Sequence, residues 1–124
     1  MPKFFKLLIP GTLLLASLTT GASAMTLYTI KIEDGFIRAT ANQDVIEIRL
    51  IDHNLVVSTL PASGFYGLHV GDRITKVNGI AAHATQDFID DLDKSKDQTA
   101  EIEVLRNGKT LVVPVPKKGY SIFQ

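Results

Sequence analysis

Few side chains in this 124-residue chain could do chemistry, and their spacing argues against catalysis. Histidine ligands usually come paired on one element, whereas His53, His69 and His83 are isolated and form no His-Glu-x-x-His pattern. Ser63 lies in Ala62-Ser63-Gly64, which lacks the glycine spacing of a nucleophile elbow. Asp90, Asp91, Asp93 and Asp97 cluster as calcium ligands do. A calcium loop counted from Asp91 would need Gly at Lys96 and Glu at Ile102, so the cluster reads as a solvated helix face. The absence of cysteine removes thiol redox chemistry and cysteine-held zinc. The expectation is a non-enzyme with no metal and no cofactor.

The densest run of structural signals is Gly67-Leu68-His69-Val70-Gly71-Asp72-Arg73-Ile74-Thr75-Lys76-Val77-Asn78-Gly79. Gly71-Asp72 and Asn78-Gly79 read as tight turns, because Gly and Asn tolerate positive φ. Between them Ile74 and Val77 are expected inside. None of these residues is a nucleophile, so the run reads as scaffold.

Lys3 and Lys6 precede the apolar runs 7–9 and 13–16, which flank Pro10-Gly11, and small residues close the segment at Ala22-Ser23-Ala24. That is the pattern of a secretory signal, with cleavage expected after Ala24 and a periplasmic destination. The apolar stretch falls short of the roughly 20 residues a membrane-spanning helix needs. No stable membrane insertion is therefore expected after cleavage. The remainder has 124 − 24 = 100 residues, enough for one domain with one modest core. Its charge is 11 − 13 = −2, which recruits neither nucleic acid nor an anionic membrane.

Residues 27–32 alternate as a strand, and Asp34-Gly35 turns them into a second strand over 36–40. Strand 45–51 places Ile46, Ile48 and Leu50 on one face and Glu47 and Arg49 on the other. Strand 55–60 ends at Pro61, and a brief strand is expected near Ile80. The one clear helix covers 85–94, with Phe88 and Leu92 four apart and Thr85 the better cap by chemistry. Strands 100–106 and 109–113 flank Asn107-Gly108, and a tail over 117–124 carries two exposed-looking aromatics, Tyr120 and Phe123. The fold class expected is α+β, mostly β: a small antiparallel barrel or sandwich of five to seven strands capped by one main helix. The organisation expected is signal 1–24, hairpin extension 25–41, main domain 42–118 and tail 119–124.

From about Leu55 to Val115 the order of these signals resembles bacterial PDZ domains. The carrying residues are Pro61-Ala62-Ser63, Gly67-Leu68-His69-Val70-Gly71-Asp72-Arg73-Ile74, Val77-Asn78-Gly79, the helix with Phe88 and Leu92, and Arg106-Asn107-Gly108-Lys109. The chain is similar to the PDZ units of periplasmic trypsin-like and tail-specific proteases. Its short Ser63–Leu68 approach is more similar to the type II secretion protein C. The resemblance implies a binding module that takes an extended peptide between one strand and the helix, with backbone hydrogen bonds supplying affinity. By that resemblance the groove strand is Val45, Ile46, Glu47, Ile48, Arg49 and Leu50, and the helix presents Thr85 and Ile89. Ile89 would border an apolar pocket for the ligand's end residue, and Thr85 would meet the residue two back.

The family's glycine-containing carboxylate loop is not matched. Asn42-Gln43-Asp44-Val45-Ile46 stands there, with acidic Asp44 and Glu47 close by, which disfavours a terminal carboxylate. Binding of an internal segment and docking of a folded partner on the sheet edge both stay open. The expected function is an exported adaptor binding an extended segment of another envelope protein, in secretion or protein quality control. The alternative is an assembly subunit whose strands over Leu27–Thr40 pair with a partner or a second copy.

Overall fold

The computed structural model describes residues 27–124; the expected signal at 1–24 lies outside the described residues. The order is β1 (Thr29–Glu33), β2 (Phe36–Ala41), β3 (Asp44–Ile51), β4 (Asn54–Thr59), β5 (Arg73–Val77), β6 (Ile80–Ala81), α1 (Thr85–Asp93), β7 (Ala100–Arg106), β8 (Lys109–Val115) and α2 (Lys117–Tyr120). A 3₁₀ turn over Ser121–Phe123 closes the chain. The sheet is antiparallel and runs β1-β2-β3-β4-β5-β7-β8, with β6 paired to β5 alone. Among the described residues eight strands form, one above the expected range. The mostly-β class with a helix holds.

Turn chemistry sets this order. Asn78 (φ 53°) with Gly79 (φ 79°), and Asn107 (φ 52°) with Gly108 (φ 76°), both put two consecutive residues at positive φ, as type I′ hairpin turns demand. Side chains on a regular strand alternate, so Ile74 and Val77, three apart, should face opposite ways. A register shift between Ile74 and Lys76 against β7 breaks the alternation, and both become buried.

The core lies on the inner sheet face: Ile37 and Ala39 from β2, Ile46 and Ile48 from β3, Leu55 and Val57 from β4, Ile102 and Val104 from β7, and Val113 and Val115 from β8. Helix α1 covers it with Phe88, Ile89 and Leu92. Each large aliphatic side chain taken out of water contributes about 1.5–3 kcal/mol.

The C-terminal aromatics, exposed-looking in the sequence, are buried. Tyr120 is 1% and Phe123 3% exposed. Tyr120 donates its hydroxyl to the Gln98 carbonyl at 2.7 Å, and Phe123 packs edge-on against Phe88 and Phe65. Beside them Gly119 lies close against Tyr66 and Val115, where a Cβ would stand 2.6 Å from Cε2 of Tyr66 and 2.9 Å from Cγ1 of Val115. The sequence interval around these aromatics is too short to show an amphipathic period, which is why they read as exposed.

Candidate functional site

Strand β3 and helix α1 are the elements expected to form the groove, and they meet through the core. Ile46 and Ile48 are each 1% exposed, and both join the core cluster that contains Ile89 of α1. Val45 and Leu50 are half-buried, and Arg49 is exposed. Thr85 and Ile89 are buried. Both elements thus contribute to one apolar core, while the helix itself packs against β1 and β5.

The expected groove is not open. β3 is an interior strand, paired antiparallel to β4 on one edge and to β2 on the other. The β2 register runs from Phe36 opposite Arg49 to Ala41 opposite Asp44. Ile37, Ala39 and Ala41 point inward and are buried, while Phe36, Arg38 and Thr40 alternate with them and are half-buried. Strand addition to β3 is thus already made, by the chain's own hairpin. A free β3 edge, implied by the resemblance, is corrected in this respect: residues 36–41 compete for it because their inward side chains are apolar and two of them small.

Thr85 does not cap α1. Ala84 holds the N-cap position, and Asp87 reaches back to accept from the main-chain N–H groups of His83 and Ala84 at 3.0 and 3.1 Å. The Thr85 hydroxyl instead donates to the Glu33 carbonyl at 2.7 Å, tying the helix to the end of β1. A cap preference read from local sequence cannot foresee an acceptor 52 residues away.

Glu47 lies on the outer sheet face, yet is 6% exposed because three side chains cover it. Arg38, directly opposite on β2, approaches Oε2 at 2.7 Å; Arg49 donates to Oε1 at 2.8 Å. The Ser58 hydroxyl lies 2.9 Å from Oε1, where the β3–β4 register shifts beside Glu47. Burial pushes the Glu47 carboxyl up, but hydrogen bonds from Arg38, Ser58 and Arg49 outweigh it and hold the group below its ordinary value. Both guanidinium groups also approach the Phe36 ring, Arg38 at 4.6 Å from the centroid.

A second buried carboxylate was only half legible. Asp72 accepts from the His69 main chain at 2.8 Å, as a turn aspartate should. It also receives Arg106 at 2.8 and 2.7 Å, one contact to each oxygen, and Arg106 extends to the Gly67 carbonyl. Burial pushes Asp72 up, the Arg106 and His69 hydrogen bonds pull it further down, and the net is a lowered value. Arg106 is raised correspondingly by Asp72. This pair clamps the scaffold loop to β7.

Among the described residues no group of His, Cys, Asp or Glu could hold a metal ion, and no helix is long and apolar enough to cross a membrane. A concavity of about 520 Å³ lies between Leu27, Tyr28 and Ile30 and the C-terminal Lys118, Ile122 and Gln124. It gathers no catalytic set.

The PDZ domain model matches residues 35–116, and the chain belongs to the PDZ domain family. The match begins in the β1–β2 turn, so β2 lies inside it. No curated protein and no solved structure matches the chain. PDZ domains are protein-interaction modules, generally without catalysis, and that is the class to which this chain belongs.

Proposed function

We propose that this protein is an exported, non-catalytic adaptor that takes an extended segment of a periplasmic or other envelope protein by strand addition to β3, over helix α1, in the place that β2 fills in the free chain. The observation that carries the reading is β2 itself. An extended antiparallel strand with alternating inward side chains fits along β3, which is the interaction a segment of another protein would make. The Lys3/Lys6, apolar and Ala22-Ser23-Ala24 pattern supports export. The exposed Asp44 carboxylate favours an internal segment over a free C-terminus, Glu47 being neutralised by Arg38 and Arg49.

Titration of residues 25–124 with a library of extended envelope-protein segments tests the reading. Micromolar binding is expected, weakened several-fold by Ile89→Ala in protein with an unchanged circular dichroism spectrum. No binding by any segment would sink it.

The assembly-subunit reading has one observation in its favour. Among the described residues β1 pairs only with β2, leaving its outer edge unpaired, and Leu27 beside it is 82% exposed. Sedimentation of the wild type and of Ile32→Pro decides it: the Ile32 N–H faces the unpaired edge, so self-association lost on removing it supports that reading, and a monomer throughout removes it.

A further inference from the structure

The hairpin that fills the β3 edge is attached differently from every other core strand. β1 is exposed at Thr29, Lys31, Ile32 and Glu33, with only Ile30 half-buried. β2 contributes one large fully buried side chain, Ile37, together with the small Ala39 and Ala41. β4 contributes Leu55 and Val57, and β7 contributes Ile102 and Val104, all essentially inaccessible. Detaching the hairpin therefore forfeits less apolar burial than detaching any interior strand. Its covalent link to the rest of the described chain is the tight turn at Asn42-Gln43, where Asn42 is at φ 55°. Besides the β2–β3 main-chain ladder, its polar ties are the Thr85 bond to Glu33, the main-chain bond from Leu50 to Gly35, and the Arg38–Glu47 pair.

We propose that the β1–β2 hairpin is a displaceable internal ligand, and that the edge it vacates selects partner segments resembling β2: a β-branched apolar residue, then a basic one, then a small one, then a second small one two places on. This rests on the strand-addition reading above and adds both the competitor and the specificity. The register supplies the pattern. Ile37 stands opposite Ile48, Arg38 opposite Glu47, Ala39 opposite Ile46 and Ala41 opposite Asp44. The basic residue is demanded by Glu47, a buried carboxylate that loses its cross-strand cation when β2 leaves. The small residues are demanded at positions where Ala39 and Ala41 are 0% and 5% exposed. A segment of this chemistry competes with the hairpin, and weaker segments are excluded until the hairpin opens.

The test uses the full chain from residue 25 and a fluorescent peptide copying residues 35–42. Ala39→Asp places a charge at a sealed position of β2 and leaves every residue of β3 and α1 unaltered. The variant should stay folded and bind the peptide at least ten-fold more tightly than wild type. A peptide with Glu in place of its Arg should bind several-fold more weakly. A folded variant with no gain overturns the proposal. Should Ala39→Asp fail to fold, hydrogen exchange on the unaltered chain decides: β2 amides exchanging at least ten-fold faster than those of β5 and β7 support displacement, and one common rate overturns it. The exchange result requires no partner. Loss of envelope-segment binding with faster β2 exchange would thus sink the adaptor reading alone.

Discussion

Asp72 and Glu47 are both buried carboxylates held by arginine, and both sit below their ordinary pKa, yet they do different work. Asp72 is 1% exposed, joins the Gly67–Gly79 loop to β7, and takes a main-chain N–H as well as both Arg106 contacts. Glu47 joins β3 to β2 through Arg38, whose side chain is 36% exposed and open to water. The first closes a scaffold around an arginine that is 22% exposed and bonds both carboxylate oxygens and the Gly67 carbonyl. The second fastens a hairpin whose cation can be rehydrated at low cost. Depth of the partner, more than of the carboxylate, separates a permanent clamp from a latch.

The largest test of that difference compares two isoleucines of equal burial. Ile74→Ala in β5 and Ile37→Ala in β2 should each lower stability by about 2–5 kcal/mol in urea denaturation. Hydrogen exchange should then show protection lost across the sheet for the first and concentrated in β1–β2 for the second. Equal loss everywhere in both would make scaffold and hairpin one cooperative unit and remove the contrast.

Next come the carboxylates. Asp72→Ala should cost about 2–3 kcal/mol, leaving Arg106 and the His69 N–H without their acceptor, against about 1 kcal/mol for Glu47→Gln. Both groups have folded pKa values below their unfolded ones, so their contribution is complete above the ordinary carboxylate range. It is lost as pH falls below about 4 through the folded values. Stability measured from pH 6 to 2 should fall more shallowly in Asp72→Asn and in Glu47→Gln than in wild type. Unchanged slopes would show that neither pair is formed in solution.

The smallest effect is at the helix. Thr85→Val removes the donor to the Glu33 carbonyl, and about 1 kcal/mol is expected. The informative readout is β1–β2 exchange, which should quicken while β5 and β7 hold. A change shared by all strands would place Thr85 among scaffold residues.

Much of the fold was legible because it rests on local chemistry. Asn78-Gly79 and Asn107-Gly108 supply the positive φ values that their turns require, wherever the strands lie. Phe88 and Leu92 stand one helical turn apart, and both are inaccessible. The signals from Gly67 to Lys109 were specific enough to point to the PDZ family, whose model matches 35–116. The candidate site was legible less fully. Ile46, Ile48 and Ile89 could be assigned to groove or core with equal justice, since an inward face looks the same whichever strand covers it.

What the sequence determined by itself was the set of turns, the strand periods and the single main helix. Only the tertiary structure decided that β2 lies along β3, that Thr85 bonds Glu33, that Arg106 closes on Asp72, and that Tyr120 and Phe123 turn inward. The reason is range. Turn and helix preferences act within a few residues, while the Thr85–Glu33, Arg106–Asp72 and Tyr120–Gln98 contacts join positions 52, 34 and 22 residues apart, and whether an edge is free or filled depends on which strands compete for it.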